Sequence, residues 1–600
     1  MKLSILSTSL HFSTFILKWF EVINYCFYKF RNMYKVLSTL FLMVMSWTLS
    51  AQFVVSGQVI NENGEALIGA NVTLKNTYSG DETKDDGYFT ITNIATGNYT
   101  LVVSYLGYKD MEKAIIVEEK DLFLNVTLEK STIISEEIIV YSTRANENTP
   151  TTFTNLSKAD IEKNNYGQDV PYLLELTPSV VTYSDAGNGF GYTGLRIRGT
   201  DATRINVTIN GVPLNDAESQ GVFWVNLPDF ASSTESAQIQ RGVGTSTNGG
   251  SSFGGTINLF SSKLNDQPYA ELNNAGGSFG TLKNTLKLGS GLIGGKFALD
   301  GRISRIVSDG YVDRASSNLF SYYLSGGFYA KNQSLRLNVF HGAEVTYQAW
   351  NGVTLDEMQT LGRTYNSAGT DKPGEPYDNQ VDDYQQTHYQ LVYVNQLNDN
   401  LNFNTTAYYT KGAGFYEEYK GGASTDSYGI SPSLSTDLIR QRWLDNDLFG
   451  AVFSLNYFST DKKIAMTLGG GWNNYVGRHF GDVISTDSAL TTTLPHRYYE
   501  NEADKTDFNL YGKMNYQLTS QLNGFVDLQY RRVNYGFLGV DEDGSNLVQD
   551  AVLDFINPKV DKKRLEEITN VFHKDYNISN LMQYIFESKW FYADENIGVK

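Results

Sequence analysis

From about residue 263 onward, polar and apolar residues alternate one for one over long stretches. In LNFNTTAYY, Leu401, Phe403, Thr405, Ala407 and Tyr409 share one face, and Asn402, Asn404, Thr406 and Tyr408 share the other. In SLRLNVF, Leu335, Leu337 and Val339 stand opposite Arg336, Asn338 and Phe340. A period of two predicts β-strands with two unlike faces. Strand pairs are closed by short polar turns: AKNQ at Ala330, LNDN at Leu397, TDKK at Thr460 and LTSQ at Leu518. The segments between pairs, such as 351–383 and 412–447, are long and polar. Short turns at one end and long loops at the other predict a transmembrane antiparallel β-barrel, because a soluble sandwich has no need of that asymmetry.

The first part of the chain carries other patterns. Residues 33–51, MYKVLSTLFLMVMSWTLSA, combine one lysine, an apolar run and small residues before Gln52, the anatomy of a cleaved secretory signal peptide. Met33 is then the expected start, and residues 1–32 a spurious extension. Residues 53–129 show short alternating strands punctuated by turn signals and predict a small β-sandwich. SEEIIVYSTRA, residues 135–145, places a β-branched run after two acids, in the form of a short strand waiting for another protein's sheet edge. A short helix is expected over 169–176, facing a core through Val170, Leu173 and Leu174.

Composition narrows the possibilities. A chain of 600 residues with 40 Tyr, 33 Phe, 54 Gly and only 11 Pro suits a large β-architecture. Its mean hydropathy of -0.32 argues against a bundle of apolar helices, whereas a barrel hides its membrane face in the average. A net charge of -18 argues against a nucleic-acid partner and fits either a solvated surface or a cation-attracting outer face. The single cysteine, Cys26, precedes the expected start, so the mature chain is cysteine-free. The six histidines, His11, His341, His388, His479, His496 and His573, are scattered, and no metal or cofactor site is expected. HExxH is absent, and no hydrolase chemistry is indicated.

Between these regions, GLRIRGTDATRINVTINGVPLND (194–216) alternates like strands at 195–197 and 205–209 while placing Arg196, Arg198 and Arg204 in quick succession. Together with VPYLLELTPSV, IQRGVGTSTNGGSSFGGTINL and EEIIVYSTRA, this stretch is similar to the plug domain and TonB box of TonB-dependent outer-membrane receptors, over about residues 135–262. Residues 53–129, with GANVTL, DDGYFTI and GNYTLVVSYLGY, resemble a carboxypeptidase regulatory-like domain.

The resemblance implies a mainly β protein: an N-terminal sandwich (53–129), a TonB box and linker (135–145), an α/β plug (146–262) and a barrel (263–559) that encloses the plug. It implies a TonB box of Glu137, Ile138, Ile139, Val140 and Tyr141, pulled by a TonB protein with its inner-membrane energising complex. Arg196, Arg198 and Arg241 match plug arginines that would pair with barrel carboxylates; Arg204 reads as a solvated strand end. Plug loops 183–194 and 215–226 would face the ligand through Tyr183, Asn188, Phe190, Tyr192, Asp216, Glu218, Phe223 and Trp224, with packing of Phe223 and Trp224 against the wall as the other reading.

The family's function is uptake of a scarce ligand across outer-membrane lipid, with no chemistry done on it. The box continues VYSTRA, closer to the siderophore and vitamin branch than to the glycan branch, so an iron-siderophore is the expected ligand. A glycan, haem or vitamin B12, or a non-transporting adhesin, are the alternatives. Such barrels have about 22 strands, and roughly a dozen can be read up to Pro558. From residue 560 the alternation gives way to a helix-like, charged tail. A truncated or frameshifted chain is expected from this, with a C-terminal helix as the alternative.

Overall fold

The computed structural model describes residues 53–129 and 143–541, apart from 106–107, 147–148, 249–252, 489–490, 520–521 and a few single positions. The expected signal peptide, the expected TonB box Glu137 to Tyr141 and the 560–600 tail lie outside the described residues. The chain divides into two compact units at Lys130/Ser131.

The first unit is a β-sandwich. Strand β1 (Phe53–Asn61) pairs antiparallel with β4 (Tyr88–Ile94) and parallel with β7 (Leu122–Leu128). The second sheet runs β3 (Gly80–Glu82), β2 (Asn71–Leu74), β5 (Gly97–Ser104), β6 (Met111–Val117). One residue in two points inward, so Val55, Val59, Val72, Phe89, Leu101 and Val103 form its core.

The second unit begins with a mixed sheet ordered β12 (Val212–Pro213), β11 (Ile205–Ile209), β14 (Gly255–Ser261), β13 (Thr234–Arg241), β8 (Thr152–Ser157). Strands β11 and β14 are parallel, and β9 (Val180–Ser184) pairs with β10 (Thr193–Ile197) beside this sheet. Ile197, Ile239 and Ile257 are fully buried between these layers. The expected helix over 169–176 is shorter: α2 spans Val170–Leu173 and turns Leu176 out to solvent, 86% exposed. Another helix, α1 (Lys158–Asn164), was not expected. Ser157 and Asp160 cap it reciprocally, a Ser-x-x-acid signal that was legible in the sequence.

Around this domain runs one antiparallel sheet of eleven strands, β15 (Pro268–Gly276) to β25 (Leu522–Asp541), each pairing with the next in sequence. Among the described residues β15 and β25 are its edges. No described helix is long and apolar enough to cross a membrane. The alternation is realised in the sense a membrane barrel requires. On β19 (Gln333–Tyr347), Leu335 and Leu337 face out and are nearly half exposed, while Arg336, Asn338 and Phe340 are buried against the inner domain. The expected turns at Ala330, Leu397, Thr460 and Leu518 all join neighbouring strands.

The loop expected over 412–447 is mostly strand instead. Strand β21 (Leu401–Ser424) and β22 (Ser435–Phe458) carry the ladder through it, because Gly412, Gly414 and the acidic residues hide an alternation that persists. At 24 residues each, these strands are far longer than the 9–11 residues a bilayer needs. The outward apolar residues Leu391, Phe453, Leu468 and Leu510 lie toward the short turns, which places the lipid belt there. The remaining strand length projects beyond the belt toward the long loops, where α3 (Leu355–Thr360) sits between β19 and β20 (Val381–Asn398).

Candidate functional site

The inner domain is held to the strand wall by a buried carboxylate, Asp229, fully enclosed in an LPDF turn. Lys283 on β16 (Leu282–Ser290) reaches it at 2.7 Å, and Arg302 on β17 (Phe297–Ser308) at 3.3 Å. Ser232, Thr285 and Ser304 donate to its oxygens at 2.6, 2.7 and 2.8 Å, and Arg302 also donates to its backbone carbonyl. Burial alone would raise this carboxyl. The Arg302 and Lys283 charges overcome it and hold the group at about 2. Asp229 takes a left-handed backbone, φ 52°, which this web of partners sustains. Further along, Gly342 on β19 lets the Asn226 carbonyl approach the wall; a Cβ there would collide with it. Asn210 donates to Gln390 at 2.9 Å, and Asn188 to Ser308 at 2.7 Å.

The arginines singled out in the sequence do not perform this role among the described residues. Arg196 and Arg198 are exposed, Arg198 reaching only the Thr152 hydroxyl at 3.3 Å, and Arg241 donates to the Pro178 carbonyl at 3.2 Å. None forms an ion pair with a described barrel carboxylate. The polarity of the contact is the reverse of that expected: the acid belongs to the inner domain and the cations to the wall. Arg204 pairs with Asp201 three residues before it, at the surface.

Sequence reading also passed over Arg144, the second described residue after the expected box. Its guanidinium donates to the carbonyls of Ser236 and Asn258 at 3.1 and 3.2 Å and lies 4.7 Å over the Phe260 ring. Burial lowers it to about 10. Gln238 clasps both backbone groups of Ala145, at 2.8 and 2.9 Å, and the Asn258 amide donates to the Thr143 carbonyl at 3.3 Å. Side-chain amides thus bind residues 143–145 to β13 and β14 as a strand partner would.

On the long-loop side, the tips of the inner domain and the wall enclose a cavity of about 510 Å³. Of the eight loop residues expected to face a ligand, Tyr192, Asp216 and Phe223 line it. Asp216 is occupied by its own turn, accepting from the Glu218 and Ser219 amides. Glu218 anchors the loop: its carboxylate accepts from Tyr475 and His479 at 2.7 Å each and from Tyr535 at 3.1 Å. Phe190 and Trp224 are buried, Trp224 within the core of the inner domain, Asn188 binds Ser308, and Tyr183 packs across Gly194; none of these four lines the cavity.

The wall supplies groups that sequence reading had not marked: Glu344, Trp350, Asp382, Tyr416, Arg442 and Tyr499. For all but Trp350, which lies just past β19, the signal was the alternation, which puts them on the inward face beyond the lipid belt. Thr346, Asp382, Tyr416 and Arg442 are direct cross-strand neighbours on β19 to β22. Tyr192 donates to Asp382 and meets Trp350 edge-on at 5.2 Å. Trp350 meets Tyr416 at 5.6 Å, and Arg442 lies over the Tyr416 and Tyr499 rings at 5.4 and 5.7 Å. No group of described histidines and carboxylates is placed to hold a metal ion. The arrangement can bind a small molecule by charge and aromatic contact.

Comparison with known proteins fits both units. Residues 55–140 match the CarboxypepD_reg-like domain, and residues 145–256 match the TonB-dependent Receptor Plug Domain. Over 113 residues the chain is 31% identical to TonB-dependent receptor SusC of Bacteroides thetaiotaomicron, covering 19% of this chain and 10% of that one. Over 92 residues it is 33% identical to TonB-dependent receptor P39 of Formosa agariphila, covering 15% of this chain and 8% of that one. The fold is similar to ferric citrate transporter FecA in its unliganded form, with a TM-score of 0.52 at 13% identity, covering 66% of this chain and 58% of that one. It is also similar to a structure of the FpvAI-pyocin S2 complex, with a TM-score of 0.50 at 12% identity, covering 66% and 55%. The chain thus spans less than two thirds of each of these proteins.

Proposed function

This chain belongs to the TonB-dependent receptor family of the outer membrane, and on that premise we propose that it binds a small ligand in the long-loop cavity and admits it when the plug is pulled aside. The observation that carries this reading is the placement of two features on one plug sheet. The tether at residues 143–145 is clasped to β13 and β14, and β11, next to β14, leads into the cavity loop at 215–226. A pull on the tether therefore bears on the sheet from which the cavity floor extends. A TonB protein would supply the pull by pairing with Glu137 to Tyr141 as an added strand. The ligand passes unaltered, in keeping with a family of transporters, and the receptor acts as no enzyme.

The sequence-based expectation of an iron-siderophore meets a physical obstacle here. Four carboxyl groups line the cavity, Asp185 and Asp216 from the inner domain and Glu344 and Asp382 from the wall, against one guanidinium, Arg442, so an anionic ferric chelate enters an unfavourable field. The FecA-like fold at 13% identity bears on architecture alone.

Depletion of a mixed pool of small nutrients by intact cells tests the reading. Expression of the receptor should remove particular compounds from the medium only when TonB is present. Depletion of none, or equal depletion without TonB, would contradict it.

A further inference from the structure

Resting on the cavity as ligand site, we propose that its ligand is a zwitterion of short-peptide type, with an ammonium group held at the Asp185, Glu344 and Asp382 end and a carboxylate at Arg442. Elsewhere on the wall charges are matched: Arg440 binds Glu418 at 2.7 Å, and Arg497 binds Asp482 at 2.7 Å. The cavity charges are not. Among the described residues no cation pairs with Asp185, Glu344 or Asp382, and no carboxylate pairs with Arg442. Asp382 accepts from the Tyr192 hydroxyl and Glu344 from the Thr346 hydroxyl, donors that carry no charge. Arg442 is steadied by Tyr416 and Tyr499, and Gly481, its cross-strand partner, has no side chain to part it from Tyr499.

The register fixes the spacing. Asp382, Tyr416 and Arg442 face one another on three successive strands. Two inter-strand steps set the acidic and basic positions about 10 Å apart, backbone to backbone. Chain extended at roughly 3.3–3.6 Å per residue covers that distance in about three residues. The floor between the two ends is aromatic, with Tyr192, Trp350 and Tyr416 meeting edge to face, and their rings attract an ammonium group. At about 510 Å³ the cavity is of small-ligand size. A neutral sugar would leave both charged ends unanswered, and an anion would answer only Arg442. Four lining acids, Asp216 with the three above, against one guanidinium further favour a peptide with a second positive charge.

The test uses the full-length receptor in detergent and the emission of its cavity tryptophans, with Trp350→Phe to assign the signal. The probes are a tripeptide with a central lysine and free ends, its N-acetylated and C-amidated forms, maltotriose and a ferric tris-catecholate. The free tripeptide should give a saturable change, weakened at least tenfold by either blocking group, and Asp382→Asn should abolish the discrimination against the acetylated form. Indifference to acetylation, or saturation by maltotriose or the catecholate without the peptide, would overturn the peptide assignment and leave the cavity as ligand site. Emission unmoved by every probe would overturn both.

Discussion

Asp229 and Lys283 meet at 2.7 Å with both side chains almost wholly out of solvent, and they tie the plug to the first strands of the wall. A buried pair like this is costly to break from one side, because the surviving charges have no solvent to turn to. Asp229→Ala would strand Lys283 and Arg302 together. The expected loss is about 3–5 kcal/mol of plug seating, read as a lower unfolding temperature of the plug in detergent and greater cell permeability to large antibiotics.

The same carboxyl sets an acid limit. Its folded value, about 2, lies below the ordinary 3.8, so its contribution is complete above about pH 4 and is lost as pH falls toward 2. Plug seating should be insensitive to this group between pH 5 and 8. Its acid-induced weakening should be absent in Asp229→Ala, compared by thermal unfolding across pH.

Asp169 behaves in the opposite sense. It is fully buried, accepts one hydrogen bond from Thr193 at 2.7 Å, and burial raises it to about 8. Raised above its unfolded value, it costs stability increasingly as pH climbs from about 4 to about 8, and the cost levels off above that. Asp169→Asn should therefore stabilise the protein, more at pH 8 than at pH 5, measured by the difference in unfolding temperature between the two.

Arg198→Ala should change little. The side chain is exposed and its one described partner is the Thr152 hydroxyl, so a shift within about 0.5 kcal/mol is expected. Arg144→Ala should act strongly in a local way. Loss of two carbonyl contacts and the Phe260 stack frees residues 143–145, and a protease should then cleave between residues 142 and 146 at least tenfold faster than in the unaltered receptor.

The contrast between these arginines shows what the sequence made legible. A strand with unlike faces declares itself through a period of two, so Leu335 outside and Arg336 inside could be read directly. So could the turns at Ala330 and Leu518 and the two strands flanking Arg198. Which charge meets which is a long-range matter. Asp229 lies 54 and 73 residues from Lys283 and Arg302 along the chain, and only packing unites them. Arg442 and Asp382 become one site through the register of β20 to β22, which no local pattern specifies. Strong local cues were also passed over: the Ser157 and Asp160 capping pair, and an aspartate held between Pro228 and Phe230 in an apolar turn.

The central claim is a plug seated in a strand wall and drawn out through the segment around Ile139. Titration of the full-length receptor with the periplasmic domain of TonB tests it most directly, comparing the unaltered chain with Ile139→Pro, whose ring removes a ladder donor. Saturable binding weakened at least tenfold by the proline is the predicted result. Equal binding by both, or binding by neither, would contradict it.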